Sequence, residues 1–151
     1  MLEERSAGAI LFSKNDGSVE YLLLHYHAGH WDFPKGNVEE GENELDTVRR
    51  EVKEETSIDS IKFVDGFKKK VEYNYRRAGK PVHKEVIFYL AKTNVKDVRL
   101  SFEHKGYGWL SYEEALKRLT YKNSKIILKD ANSFLNRVEK DSDSLDSYLK
   151  K

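Results

Sequence analysis

The chain has 151 residues, with 27 basic against 26 acidic side chains and no cysteine. That length supports one domain with a proper core, and too little remains for a second. A formal charge near zero excludes a global field steering the molecule to nucleic acid or membrane, and the missing thiols exclude disulfides and cysteine nucleophiles.

The opening, MLEERSAGAILF, is acidic before it turns apolar, unlike a signal peptide, and no apolar run reaches membrane-spanning length; a cytoplasmic setting is expected. Ala7 to Phe12 and Tyr21 to Tyr26 are apolar strand-like runs around Asn15-Asp16-Gly17, a hairpin signal. His27 to His30 reads as a loop, and Trp31 to Gly36 leads into a helix. Asn43 followed by Asp46 resembles a capping pair, so that helix starts near Glu44. At about 100° per residue, Leu45, Val48 and Val52 share one stripe facing a core. Ile61 to Val64 reads as a short strand, and Phe67 to Tyr75 as an alternating one. A turn follows from Arg76 to Pro81, then strands at Glu85 to Lys92 and Gly108 to Leu110. Ser111 with Glu114 forms a capping box for a second helix. Asn123 or Ser124 opens a third, with Ile127, Leu128, Ala131 and Leu135 at helical spacing. One domain over 1–138 results, with a polar tail over 139–151 that frays or extends the last helix. Strands interleaved with a few helices give an α/β fold, a mixed sheet covered on both faces as a three-layer α/β/α sandwich.

The chemistry concentrates between Gly36 and Ile58. Glu51 and Glu55, at i and i+4, stack along one flank of the first helix, with Glu54 roughly 60–100° further round. Three carboxylates so placed repel one another unless a cation sits among them, and hard divalent ions take oxygen ligands of this kind. Arg50 is placed to orient one of them through paired hydrogen bonds. Most Glu-rich helices are solvated faces. Here Gly36, Glu42 and Arg50-Glu51 stand in a fixed register with Glu54 and Glu55, which a solvated face does not require.

That register resembles the box of the Nudix hydrolases, G-x5-E-x7-R-E-U-x-E-E-x-G-U with U aliphatic. Gly36, Glu42, Arg50, Glu51, Val52, Glu54, Glu55 and Ile58 match, and Ser57 replaces the second glycine. A residue there usually takes a left-handed conformation, at a cost of about 1 kcal/mol for serine. The resemblance implies the Nudix fold from about Ser6 to Leu135 and a site for Mg2+, or Mn2+, held by Glu51, Glu54 and Glu55 with a backbone carbonyl of Lys35 or Gly36. It assigns orientation to Arg50 and support of the loop to Gly36 and Glu42. Trp31 to Glu42 is similar to the signature of asymmetric diadenosine tetraphosphate hydrolases, as are Gly66 to Tyr75 and Ser101 to His104. By that similarity Tyr73 and Tyr75 stack an adenine, His30, Lys35 and Lys84 contact phosphates, and Glu103 reaches over the metal as a further acid. Read without it, Tyr73 and Tyr75 are cross-strand packing residues, Lys68 to Lys70 a solvated edge that discourages aggregation, and Glu103 a surface acid.

The activity implied is hydrolysis of diadenosine tetraphosphate to ATP and AMP by water attack on phosphorus, one of Glu51, Glu54, Glu55 or Glu103 taking the proton. The same chemistry on a 5′-triphosphorylated RNA or a nucleoside triphosphate is the alternative, and a non-catalytic nucleotide-binding module the third. A small nucleotide partner is expected, with no membrane and no nucleic acid; oligomeric state stays open.

Overall fold

The computed structural model describes residues 1–140 and 145–150. Its elements are β1 (Leu2–Asn15), β2 (Ser18–Tyr26), β3 (Trp31–Asp32), β4 (Lys35–Asn37), α1 (Glu44–Thr56), β5 (Lys62–Arg77), β6 (Lys80–Lys92), β7 (His104–Leu110), α2 (Tyr112–Arg118), α3 (Lys122–Lys140), a 3-10 turn (Leu145–Tyr148) and β8 (Leu149–Lys150). The sheet runs β3-β2-β1-β6-β5-β8, with β7 on β2 and β4 on β1. β1 and β6 are parallel from Leu2↔Val82 to Phe12↔Lys92, while β2 and β4 pair antiparallel with β1. The sheet is therefore mixed, as the order of elements implies. Among the described residues no helix is long and apolar enough to cross a membrane.

Alternation along β1 sets the layers, since successive side chains of a strand point to opposite faces. Ala7, Ala9 and Leu11 join Leu22, Leu24, Val48, Val52 and Ile58 under α1. Ile10 and Phe12 face the other way, among Phe88, Leu90, Leu128, Ala131 and Leu135 under α2 and α3. Two alanines beneath α1 let the helix lie close to the sheet. Val48 and Val52 are fully buried there, each contributing roughly 1.5–3 kcal/mol. Leu45 departs from the expected stripe and is 38% exposed. At that first turn the buried place goes to Thr47, whose hydroxyl donates to Glu42 and to the Asn43 carbonyl.

The edge of β1 is divided, β2 taking Phe12 to Asn15 and β4 taking Ser6 to Gly8. Gly8 makes the second pairing possible. A Cβ there would lie 2.6 Å from the Pro34 carbonyl oxygen and 2.7 Å from Lys35 Cβ, so only a glycine lets the Phe33-to-Lys35 segment cross so closely.

Several elements outrun their expected bounds. β1 begins at Leu2 because β6 gives its polar start a partner. The expected runs 61–64 and 67–75 fall, but for Ile61, in one strand, β5, bent where the register slips between Phe63 and Lys68 around Gly66, which has φ 95°. The expected turn over Arg76 to Pro81 shrinks to Ala78-Gly79, both at positive φ, with Arg77 opposite Lys80. β7 starts at His104 and α3 at Lys122. Of the tail, α3 continues to Lys140, residues 141–144 lie outside the described residues, Leu145 is buried, and Leu149 and Lys150 pair with Val64 and Phe63.

Ala78 carries a left-handed conformation on an exposed turn, φ 52°. Ala78→Gly is expected to raise unfolding stability by about 0.5–1 kcal/mol, measured by urea titration; a loss of stability would contradict the assignment of strain to that residue.

Candidate active site

Helix α1 is placed by its own sequence. Asn43 caps it, accepting from the Asp46 N–H at 2.8 Å while Asp46 reaches back to the Asn43 N–H. Its other end stops at Ser57, φ 68° and ψ 11°, whose N–H still bonds the Lys53 carbonyl. Serine accepts the left-handed place with some return, since its hydroxyl donates to the Arg99 carbonyl at 3.1 Å.

One face of α1 carries the acids, and Arg50 organises them. Its Nε donates to Glu42 at 2.7 Å and its Nη2 to the other Glu42 oxygen at 3.1 Å. Nη1 donates to Glu51 at 2.7 Å and to Glu54 at 3.3 Å, and Nη2 also reaches the Asn37 carbonyl at 2.8 Å. Glu42 further accepts from the Glu39 N–H at 3.0 Å and the Thr47 hydroxyl at 2.9 Å. Arg50, and then the Glu39 N–H, hold the Glu42 carboxyl down to about 2. Glu42 is thus consumed in tying the 37–42 loop to the helix.

Glu51 and Glu55 have the opposite environment. Burial raises Glu51 above the ordinary carboxylate range, only partly offset by Arg50. Burial, then the charge of Glu51, pushes Glu55 up to about 9, against a Lys35 N–H that donates to its Oε1 at 3.4 Å. Glu54 is 58% exposed on its side chain. Glu103 is exposed too; its carbonyl accepts from the His27 N–H at 3.3 Å, and its charge adds to the upward shift of both buried acids.

Two observations show that these residues suit a divalent cation. Oε2 of Glu55 is buried without a hydrogen-bond partner, an expensive state unless something outside the protein binds it. A Cβ at Gly36 would fall 2.0 Å from Glu51 Cδ, so the glycine brings loop backbone directly onto a carboxylate. The donors are hard oxygens of the kind such ions take. Among the described residues no three acidic or histidine side chains converge on one point; Arg50 takes one oxygen each of Glu51 and Glu54.

Beside the acids lies a cavity of about 390 Å³ lined by His30, Asp32, Lys35, Tyr73, Phe88, Tyr121 and their neighbours, within the range of small-ligand sites. Lys35 belongs to both places. Its backbone touches Glu55, and its Nζ donates to Asp32 at 3.1 Å inside the cavity. Asp32 is 1% exposed and also accepts from the Ser124 hydroxyl and the Phe33 N–H, both at 2.9 Å. Burial works against the Lys35 charge, but the Asp32 carboxylate outweighs it and the pKa is raised. Lys84, opposite Tyr73 across β5 and β6, is shifted down by burial and by Lys35. Glu4, opposite it across β1 and β6, acts on its charge from beyond salt-bridge distance.

Rings connect the two places. Tyr26 stacks on His30 with centroids 4.4 Å apart, and His104 meets Tyr26 edge-on at 4.4 Å. His104 is buried, its Nε2 lies 3.9 Å from Glu55 Oε1, and burial lowers its pKa.

Of the residues singled out in the sequence, Lys35, Gly36, Glu42, Arg50, Glu51, Glu54, Glu55 and Glu103 gather around the carboxylates. His30, Lys35 and Tyr73 line the cavity. Tyr75 stands apart: its hydroxyl donates to Glu4, and its ring is 6.2 Å from Tyr73 and tilted 43°, so the two form no stacking slot. Asp32, Tyr121 and Ser124 line the cavity and His104 faces Glu55, though none of the four stood out as a site residue in the sequence. Asp32 carried a signal, an acid in an otherwise apolar stretch beside Lys35.

A family profile described as the NUDIX domain matches residues 2–130. The asymmetrical bis(5′-nucleosyl)-tetraphosphatase of Mus musculus is 39% identical over 145 residues, covering 87% of this chain and 95% of that protein. The enzyme of the same name from Sus scrofa is 39% identical over 143 residues, with the same coverage. Among solved structures, a C. elegans Ap4A hydrolase binary complex superposes with a TM-score of 0.78 at 34% identity, covering 89% of this chain and 98% of that one.

The raised Glu55 pKa ties its proton to the stability of the fold. The folded protein keeps a proton that the unfolded chain releases at its ordinary value of 4.5. Stability carried by that proton is complete below 4.5 and is lost as pH climbs towards about 9. In chelator, Glu55→Gln should therefore be more stable than the native sequence by about 1–3 kcal/mol at pH 8, with a smaller gain at pH 5. Urea midpoints at the two pH values measure it; a gain that shrinks as pH rises would refute the burial argument.

Proposed function

The chain belongs to the Nudix family, and from that premise we propose that it hydrolyses dinucleoside polyphosphates, splitting diadenosine tetraphosphate into ATP and AMP. The observation that carries this reading is Lys35, one residue shared by an acidic cluster suited to a divalent ion and a cavity of nucleoside size. A nucleotide base against Tyr73, with Tyr121 and His30 nearby, would send its phosphates past Lys35 to Glu51 and Glu55.

Glu51, Glu54, Glu55 and the backbone at Lys35 or Gly36 would hold Mg2+, or Mn2+ in its place. The bound ion supplies charge neutralisation of the phosphates and a lowered pKa for the attacking water. The remaining work belongs to side chains. Lys35 and Lys84 neutralise phosphate oxygens as compact point charges, and Lys35 is kept charged by Asp32. Arg50 keeps Glu51 and Glu54 oriented. Glu54 and Glu103 are the exposed acids of the cluster, and one of them accepts the proton of the attacking water. Water oxygen bonds to phosphorus, the bridging P–O bond breaks, and the bridging oxygen leaves with the other phosphate.

RNA as substrate would call for a free basic stripe at Lys68 to Lys70. Each of those lysines has an acid beside it, Glu44 at 3.2 Å, Asp130 at 3.9 Å and Glu72 at 3.4 Å, so their field is locally offset. A cytoplasmic setting is part of the proposal, on the cysteine-free composition.

Two sets of variants test the reading. Glu54→Gln and Glu55→Gln should each lower kcat at least about a hundredfold with circular dichroism unchanged; full activity in either would remove that acid from the mechanism. Lys84→Ala should impair dinucleotide hydrolysis far more than neutralising Lys68, Lys69 and Lys70 together. Tight, salt-dependent binding of a triphosphorylated RNA oligomer, lost in the triple variant, would favour the RNA substrate.

A further inference from the structure

Phe102 is 88% exposed, the most exposed of the large hydrophobic side chains. A single apolar residue at a surface needs no explanation. This one differs in how firmly its backbone is held and in what lies beside it. Residues 99 to 101 run along the end of α1 and bond its last carbonyls, which have no partner within the helix: the Arg99 N–H donates to Thr56 at 2.9 Å and the Ser101 N–H to Glu55 at 3.2 Å. Immediately after Phe102, the Glu103 carbonyl accepts from the His27 N–H, and the His104 N–H closes a turn onto the Ser101 carbonyl at 3.2 Å. Ser101 Oγ and His104 Nδ1 stand 3.1 Å apart within that turn. The ring is thus displayed to solvent from a turn pinned on both sides, one of the pins being the backbone of Glu55 itself.

Its position complements the cavity. The cavity meets the acidic cluster at Lys35, through the Lys35 N–H bonded to the Glu55 side chain. The segment carrying Phe102 meets the same residue from the other end: the Ser101 N–H bonds the Glu55 main-chain carbonyl, and the charge of Glu103, next to Phe102, acts on the Glu51 and Glu55 carboxyls. On the proposed function, on which this inference rests, the substrate has a base at each end of its phosphate chain, and a 390 Å³ cavity is on the scale of one nucleoside. The second base must then rest outside that cavity, and Phe102, next to Glu103 in sequence, is a large apolar ring left open to solvent near the acids. We propose that Phe102 is the stacking platform for the second nucleoside base, and so a residue that selects dinucleotides over mononucleotides. A π face accepts any base, so the preference at this end is for a base, not for adenine.

The test compares the full chain with Phe102→Ala and Phe102→Trp, using Mg2+ throughout. Diadenosine tetraphosphate is the substrate, and adenosine 5′-tetraphosphate, with the same four phosphates and one nucleoside fewer, is the competitor. In Phe102→Ala the KM of the dinucleotide should rise about fivefold to a hundredfold more than the inhibition constant of the competitor, the span expected for one stacked base. Phe102→Trp should restore the difference. Equal changes in the two constants, or none, would overturn the platform and leave the proposed function standing. A native enzyme that leaves the dinucleotide intact would overturn both.

Discussion

Arg50 is the constraint on which the site depends. One guanidinium binds both oxygens of Glu42, one oxygen each of Glu51 and Glu54, and the Asn37 carbonyl. A planar fork with fixed donors can span a loop and a helix in this way, whereas a lysine at the same place offers one point charge. The loop therefore cannot move without the acids, nor the acids without the loop. Glu42 and Glu51 are both acids of the same motif, and Arg50 separates their roles: Glu42 becomes a deeply ionised strut, and Glu51 retains an oxygen for other work.

Glycines complete that geometry by what they omit. Gly8 lets the Pro34-Lys35 backbone lie across β1, and Gly36 lets the loop touch the Glu51 carboxylate. Beside this approach Glu55 is 3% exposed with one oxygen unpartnered. Such a group reduces the stability of the protein by itself. Its presence makes sense as a binding group, and the same crowding brings Lys35 to bridge the acids and the cavity. Fold and site are linked through β1, whose small residues seat α1 on one face and whose edge holds β4.

Local chemistry made much of this legible before any coordinates. The Asn43 and Asp46 cap, the Asp16-Gly17 turn and the left-handed conformation at Ser57 each involve residues within a few positions of one another, and each stands where the sequence puts it. What escaped detection depends on distant partners. Asp32 gains its buried partner Ser124 from 92 positions away, and the Tyr75 hydroxyl finds Glu4 from 71 positions away. The polar start of β1 is a strand because β6 lies beside it, and Leu149 and Lys150 are a strand because β5 does. Leu45 followed the helical period but lies in the first turn, where Thr47 occupies the buried place instead.

Asymmetric cleavage of a dinucleoside polyphosphate requires the acids of α1 and the neighbouring cavity to act on one substrate. The most direct measurement is product analysis by chromatography and mass spectrometry after incubating the chain with diadenosine tetraphosphate and Mg2+ in oxygen-18 water. Equal amounts of ATP and AMP, with one labelled oxygen per pair of products and none of the reaction in chelator, is the result expected. Two molecules of ADP, or no turnover of the dinucleotide beside rapid attack on a triphosphorylated RNA, would contradict it.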